Sequence, residues 1–100
     1  MAVYKNITTT GSSTTLIEKS SGIGGGINKI TISNNSDNPA TVIVDLWDGV
    51  SDAPFYICKN VIIPTGAVLL LEDNISFRVK DYKLRIYNTG TNPDLTIMIK

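Results

Sequence analysis

Three aspartates in the middle of the chain carry oxygens of the kind that bind calcium. Asp45, Asp48 and Asp52 lie within a short stretch, and Ca²⁺ prefers carboxylate ligands. Their spacing does not match the loop of an EF-hand. In a regular strand Asp45 and Asp48 would also point to opposite faces, because neighbouring side chains alternate. The pattern therefore favours solvated carboxylates at the rim of the fold, with a calcium site as the alternative.

Nucleophilic and acid–base chemistry lack their usual partners in this sequence. The chain of 100 residues contains one cysteine, Cys58, and no histidine. The commonest general base and the commonest zinc ligand are therefore both missing. Without a base, neither the Cys58 thiol nor the serine and threonine hydroxyls are activated, and a lone cysteine forms no internal disulfide. We predict a structural thiol in a protein that is not an enzyme and uses no cofactor.

A glycine-rich segment, Ser20–Gly26, contains part of a nucleotide-binding pattern. Ile27 occupies the third glycine position of the dinucleotide fingerprint, and no helical pattern follows it. The chain also lacks the Gly-Lys-Ser/Thr of a phosphate-binding loop. We therefore interpret Ser20–Gly26 as a flexible or assembly-facing loop.

Charge and hydropathy argue against nucleic acid and membrane as partners. The 9 basic and 9 acidic residues cancel, so no net field draws the protein to DNA or RNA. No apolar run approaches the ~20 residues that cross a bilayer, and the Met1–Asn6 segment lacks the apolar core of a secretory signal. Zero net charge gives little protection against self-association. This favours a protein that works within an assembly.

Four aromatic side chains on apolar runs are candidates for a carbohydrate or partner site: Trp47, Tyr56, Tyr82 and Tyr87. Aromatic residues on strands more often pack in the core or across neighbouring strands. We favour packing or a protein interface, with carbohydrate binding as the alternative.

Alternation of apolar and polar residues predicts an all-β fold. The pattern is clearest in the last third of the chain, and no stretch keeps apolar residues at helical spacing for three turns. The predicted strands are Ala2–Thr10, Thr14–Glu18, Ile27–Asn34, Ala40–Asp48, Phe55–Ile63, Ala67–Glu72, Ile75–Lys80, Tyr82–Tyr87 and Leu95–Lys100. Eight or nine short strands separated by turn residues indicate one antiparallel β-sandwich or jelly-roll-like domain spanning residues 1–100.

Several local features of these strands can also be predicted. Asn35–Pro39 is rich in turn formers and joins its flanking strands as a hairpin or a short loop. A bend or bulge near Lys59–Asn60 is expected because Phe55–Ile63 is long for one strand. Ile63–Gly66 fits a type I turn. Val68–Leu71 is apolar on both faces, which predicts a central strand.

The two strands at the ends of the chain carry further expectations. Residues 1–10 are an edge strand or an extended arm. Asn88–Pro93 is a loop. Leu84 belongs to the inferred apolar face, so Leu84→Asp should unfold the domain. The neighbouring Arg85 points outward, so Arg85→Asp should be tolerated.

Three segments together resemble the small β-sandwich virion proteins of tailed bacteriophages, especially those of marine phages. They are the opening Val3-Tyr4-Lys5-Asn6-Ile7, the strand Ile30–Asn34 continuing through Pro39-Ala40-Thr41-Val42, and Val61–Ala67 leading into Leu69-Leu70-Leu71. The resemblance covers most of the chain and includes no catalytic signature. It implies a structural protein that decorates or cements the capsid, or one that sits in the neck or tail.

We therefore expect a capsid decoration or cement protein that is located in the virion. Its expected partners are the major capsid protein or other virion proteins, together with further copies of itself. A neck or tail component and a carbohydrate-binding β-sandwich are the alternatives. The candidate assembly contacts are Val3, Tyr4, Ile7, Gly22, Ile23, Gly24, Gly25 and Gly26. An extended segment among them could add to the sheet edge of a neighbour.

Overall fold

A computed structural model describes residues 2–19, 26–50, 53–72 and 75–100, and these ranges fold as β-strands without any helix. The alternation of apolar and polar residues therefore predicts the fold class correctly. The strands are β1 (Val3–Ile7), β2 (Ser12–Ile17), β3 (Gly26–Ile27), β4 (Ile30–Asn34), β5 (Ala40–Trp47), β6 (Phe55–Ile63), β7 (Val68–Leu71), β8 (Ile75–Ser76), β9 (Lys83–Gly90) and β10 (Leu95–Ile99).

The strands form two four-stranded sheets and one small pair. The first sheet has the order β1-β10-β4-β7, the second has the order β2-β9-β5-β6, and β3 pairs with β8. Every pairing is antiparallel. The chain passes from one four-stranded sheet to the other between β1 and β2, β4 and β5, β6 and β7, and β9 and β10. Connected strands are therefore distributed between the two sheets.

One buried core holds the two four-stranded sheets together. Alternate residues of β4 and β10 in the first sheet, and of β5 and β9 in the second, contribute to the same cluster. Leucine, isoleucine and valine side chains fill this cluster, as the period of two requires. The radius of gyration is 12.9 Å, close to the ~13 Å of a compact domain of this length. The fully buried members of the core cluster include Ile30, Ile32, Val42, Val44, Leu84, Ile86, Leu95 and Ile99.

The Asn35–Pro39 segment is a crossover between sheets rather than the turn of a hairpin. Its flanking strands β4 and β5 lie in different sheets, so of the two predicted arrangements the short loop is correct and the hairpin is not. Asn34 organises the crossover from a buried position. Its Nδ2 donates to the carbonyls of Asn38 and Ile63, both at 2.9 Å. Its Oδ1 accepts from the backbone N–H of Ser36 at 3.0 Å and from the Ser36 hydroxyl at 2.7 Å.

The bulge predicted in the long strand β6 is confirmed. The pairing with β5 shifts between Val61 and Cys58, which leaves Lys59–Asn60 at the irregularity. Asn60 has a φ of 56°, in the left-handed region that asparagine tolerates better than most residues. A second register shift follows toward the start of β6. The bulges disrupt the regular ladder along this edge of the second sheet.

The turn after β6 and the strand that follows it differ from prediction. The Ala67 N–H donates to the Pro64 carbonyl at 3.1 Å, so the turn lies one residue later than expected. Gly66 has a φ of 73° at its third position, a type II feature instead of type I. The prediction that Val68–Leu71 is a central strand was also wrong, because β7 is the edge of the first sheet. Apolar composition alone does not reveal whether a strand has one neighbour or two.

In the last third of the chain, two strands end at residues other than those predicted. After Ser76 the backbone leaves the sheet, and Arg78 accepts at its carbonyl from the N–H groups of Asp81 and Tyr82, both at 2.9 Å. Strand β9 instead continues through Gly90, where a loop was expected. A Cβ at Gly90 would lie 3.0 Å from the Pro39 carbonyl oxygen, so glycine permits this close approach to β5.

Candidate protein-binding surface

The N-terminal contact residues lie on an ordered edge strand. Strand β1 pairs with β10 at every position from Val3 to Ile7, which confirms the edge-strand interpretation over an extended arm. Tyr4 is 65% exposed and Val3 is half-buried. Ile7 is only 3% exposed and belongs to the core. Ile7 is therefore removed from the set of assembly contacts, because its side chain stabilises the fold.

The glycine-rich candidates fall mostly beyond the structural description. Gly22, Ile23, Gly24 and Gly25 lie outside the described residues. Gly26 is exposed, begins β3 and pairs with Ser76. The role assigned to this segment stays a prediction.

Exposed apolar side chains form a row across the first sheet. Tyr4 pairs with Met98, Met98 with Thr31, and Thr31 with Leu70. Directly opposed residues in a sheet share one face, so this row points away from the core. Tyr4 is 65% exposed, Leu70 46% and Met98 36%. Tertiary pairing thus joins the predicted contact Tyr4 to two apolar residues that sequence reasoning missed.

A second row on the same face is polar at three positions and ends in an exposed valine. Asn6 pairs with Thr96, Thr96 with Ser33, and Ser33 with Val68. The Thr96 hydroxyl donates to Asn6 Oδ1 at 3.0 Å and accepts from Asn35 Nδ2 at 2.8 Å. Asn6 Oδ1, the Thr96 hydroxyl and Asn35 Nδ2 would therefore keep these hydrogen bonds if a docking protein covered them.

We call these two rows the outer face. It comprises Tyr4, Met98, Thr31, Leu70, Asn6, Thr96, Ser33 and Val68. None of these residues is charged. Interface cores are depleted of charge and enriched in aromatic residues and methionine. The lack of charge and the exposed Tyr4 and Met98 therefore make the outer face a candidate protein-binding surface. One signal in the sequence could have revealed the outer face. Strands β1, β7 and β10 carry apolar residues at the alternate positions that point away from the core.

The exposed side of the second sheet has a different character. Arg85 Nε lies 2.7 Å from Asp45 Oδ1, and Arg85 Nη2 lies 3.2 Å from Asp45 Oδ2. The Asp45 side chain is only 7% exposed and that of Arg85 19%. Arg85 lies on the outward side of β9, as predicted, but its side chain is largely buried in the ion pair with Asp45, so we now expect Arg85→Asp to destabilise the fold. The substitution would place a second carboxylate beside a buried one.

Three of the four aromatic residues considered for carbohydrate binding contact a neighbouring side chain. The Trp47 ring lies under the Arg85 guanidinium at 4.1 Å and the Lys83 ammonium at 4.8 Å. Lys59 lies 4.6 Å from the centre of the Tyr56 ring. Tyr82 makes an edge-to-face contact with Phe55, with the ring centres 5.7 Å apart. Tyr87 is half-buried on β9. Packing accounts for three of these aromatics directly.

The aspartates do not gather in the described part of the chain. Asp45 is paired with Arg85, and Asp48 Oδ1 accepts the Val50 N–H at 2.9 Å. Asp52 lies outside the described residues. Within residues 2–19, 26–50, 53–72 and 75–100, no three histidine, cysteine, aspartate or glutamate side chains come together as metal ligands.

Cys58 is a half-buried thiol on β6. Burial raises the pKa of the Cys58 thiol, and a hydrogen bond with the backbone of Val44 offsets part of that increase in pKa. Because the thiolate is the nucleophilic form, a raised pKa makes this cysteine less reactive near neutral pH. This environment agrees with the structural role expected from the sequence.

The described part of the chain contains no pocket that could enclose a ligand. None of the described residues lies in a helix that is long and apolar enough to span a membrane. Comparison with protein-family models and with curated proteins found no match for the chain. The arrangement of the described residues is thus the basis for assigning a function.

Proposed function

We propose that this protein is a structural subunit of a tailed-phage virion, most simply a capsid decoration or cement protein that binds the major capsid protein. The observation that carries the proposal is the uncharged outer face, with Tyr4, Met98, Leu70 and Val68 exposed on one sheet. Such a surface binds by shape and apolar burial and requires no turnover. Its partner is another virion protein, and the protein resides in the particle.

The energetics of the outer face suit a protein partner. Removing the remaining exposed area of a side chain such as Met98, Leu70 or Val68 contributes about 1 kcal/mol each. The neighbouring Asn6–Thr96 hydrogen bond of 3.0 Å keeps the Asn6 oxygen and the Thr96 hydroxyl paired when water leaves. This lowers the desolvation penalty that a partner meets on this face.

The strand order adds support at the level of architecture. We infer that the sheets β1-β10-β4-β7 and β2-β9-β5-β6 form a jelly roll, because consecutive strands are distributed between two four-stranded antiparallel sheets. Jelly rolls are common in viral capsid proteins and also occur in lectins. Fold alone does not determine function. The composition of the outer face and the resemblance to virion proteins favour the capsid role.

The proposal is tested with phage particles that lack the protein. Wild-type protein should cosediment with the particles, and Met98→Lys should bind about 100-fold more weakly, because docking would bury an unpaired charge. Val50→Lys is the matched control, since Val50 is an exposed apolar residue, 87% exposed, on a loop. Equal binding by wild type and Met98→Lys would refute docking through the outer face. Density position in a particle reconstruction distinguishes the capsid from the neck and tail.

Carbohydrate binding is the second candidate, supported by one specific observation. Tyr56, Asp45 and Arg85 form a cross-strand row on the second sheet, and Trp47 lies beside it against Arg85. Aromatic rings flanked by charged groups are a common carbohydrate-binding arrangement. A glycan array with and without chelator tests this candidate. Tight binding to a defined glycan that is lost in Trp47→Ala, with no binding to particles, would favour it over the virion role.

A further inference from the structure

Among the described residues, strand β7 is the least protected of the four edge strands of the two four-stranded sheets. Proteins block strand addition with charged residues, bulges or prolines on their edge strands. Strand β1 carries Lys5, β6 carries Lys59 and two register shifts, and β2 has a register shift after Thr15. Strand β7, Val68–Leu71, carries none of these devices, and among the described strands it pairs only with β4.

The backbone of β7 presents regularly spaced hydrogen-bonding groups at this edge. The Asn34 N–H donates to the Ala67 carbonyl at 2.9 Å. This bond shows which residues of β7 are hydrogen-bonded to β4 and which are not. In an antiparallel pair, bonded positions alternate along each strand. Leu69 and Leu71 therefore bond to β4. The N–H and C=O groups of Val68 and Leu70 point to the open side.

We infer that a second copy of the chain adds its own β7 at this edge, antiparallel and about a two-fold axis that passes beside Leu69. In this register Val68 lies opposite the partner's Leu70, and each such pair exchanges N–H···O=C hydrogen bonds in both directions. Leu69 lies opposite the partner's Leu69 as the non-bonded pair. A two-fold contact must be self-complementary, and this register meets that condition with the groups that β4 leaves unused.

Side chains and charge favour a second copy as the occupant. Val68 is 57% exposed and Leu70 46%. On the outer face, Val68 of each copy would pack against Leu70 of the other copy. Strand β7 contains no charge, and Glu72 just beyond it would lie opposite the partner's Gly66. Like charges therefore do not meet in this register. The zero net charge of the chain adds no long-range repulsion.

Pairing would also join the two outer faces. The first sheets of both copies would become one continuous sheet, with the Val68 and Leu70 ends adjacent at its centre and Tyr4 toward its far edges. This joined face rests on the proposed function, whereas the pairing itself rests only on β7. Two linked docking faces would bind a repetitive particle surface more tightly than one alone, because the second contact forms at high effective concentration.

The experiment measures self-association and amide exchange of the full chain. Sedimentation from about 1 μM to about 1 mM protein, the span from moderate to weak affinity, should show a concentration-dependent dimer. Amide exchange at Val68 and Leu70 should slow as the dimer forms. The amides of Leu69 and Leu71 should be protected at every concentration, because they bond to β4. A monomer throughout this range, with fast exchange at Val68 and Leu70, would overturn the inference.

Two variants and a control complete the test. Leu70→Pro removes an N–H that β4 does not use, so the fold should persist while dimerisation is lost. Leu70→Lys places a charge one residue from the axis on each copy, opposite the partner's Val68, and should also abolish the dimer. This keeps the test decisive if the proline variant fails to fold. Met98→Lys adds the same charge to the outer face away from the edge and should dimerise normally. A dimer that persists in Leu70→Lys would refute this register.

The two proposals fail in different ways. Wild-type protein that stays monomeric but binds particles would refute the pairing and support the docking function. Wild-type protein that dimerises but ignores particles would support the pairing and refute the docking function. Loss of particle binding in Met98→Lys, with its dimer intact, would support both.

Discussion

Asn34→Ala should strongly destabilise the protein, because this buried side chain links two connections between the sheets. Its amide donates to the Asn38 and Ile63 carbonyls, both at 2.9 Å, so it ties the β4–β5 crossover to the end of β6. Its carbonyl oxygen accepts two hydrogen bonds from Ser36. Alanine would remove all of these contacts while retaining the Cβ.

The magnitude depends on what each hydrogen-bond partner loses. The Asn38 carbonyl also accepts from the Ser36 hydroxyl at 2.8 Å, so it keeps a partner. The bond to the Ile63 carbonyl is buried, and removing the donor from a buried acceptor costs about 1–3 kcal/mol. The remaining bonds add about 0.5–1.5 kcal/mol each. The lower ends of these ranges sum to about 2.5 kcal/mol, so we expect a loss of at least about that size, a large part of a typical stability of ~5–15 kcal/mol.

Urea denaturation followed by circular dichroism measures this loss, with the adjacent asparagine as control. Asn35 is exposed, and its amide donates to the Thr96 hydroxyl at 2.8 Å. Asn35→Ala should change stability by less than about 0.5 kcal/mol. The urea midpoint should fall in Asn34→Ala without a change in slope. Similar midpoints for the two variants would refute the assignment of Asn34 as the structural link.

Three further outcomes are expected. Leu84→Asp should prevent folding, as judged by loss of the β-sheet circular dichroism signal, because Leu84 is 0% exposed and an unpaired buried charge costs several kcal/mol. Arg85→Asp should lower the free energy of unfolding by about 3–5 kcal/mol, and Asp45→Asn in that background should recover part of it. The Cys58 thiol should react slowly with a thiol reagent near neutral pH in the folded protein and rapidly after denaturation.

The raised pKa of Cys58 also determines the direction of its pH effect. The folded thiol holds its proton to higher pH than the unfolded thiol, so its contribution to stability is present at low pH and declines as the pH rises above about 9. Cys58→Ser should weaken that decline. A folded Cys58 that reacts as fast as the denatured chain would contradict this view, as would an Arg85→Asp variant as stable as wild type.

The alternation of apolar and polar residues correctly predicted strands that have one buried face and one exposed face. In β10, Leu95, Ile97 and Ile99 are all buried while the residues between them are not, as the period of two requires. The bulge at Lys59–Asn60 was also predictable, because an unbroken strand of that length is uncommon. Strand β9 continued past its predicted end because Asn88 is buried and donates to the Thr9 carbonyl at 2.8 Å. That partner is distant in sequence.

The candidate site was only partly visible in the sequence. Tyr4 and Ile7 were both predicted as assembly contacts. Tyr4 is exposed, which leaves that role open, whereas Ile7 lies in the core. Met98 and Leu70 were missed because both stand in largely apolar strands. Only the register of four strands shows that they share a row with Tyr4.

The sequence by itself determined the all-β class and the approximate strand positions. These properties depend on residue type and on a spacing of two, which are local. Tertiary structure alone decided that β7 is an edge, that Asn34 is buried while Asn35 is exposed, and that Arg85 pairs with Asp45. Each of these depends on which distant strand lies alongside, and a strand carries the same residues whether one neighbour or two bond to it.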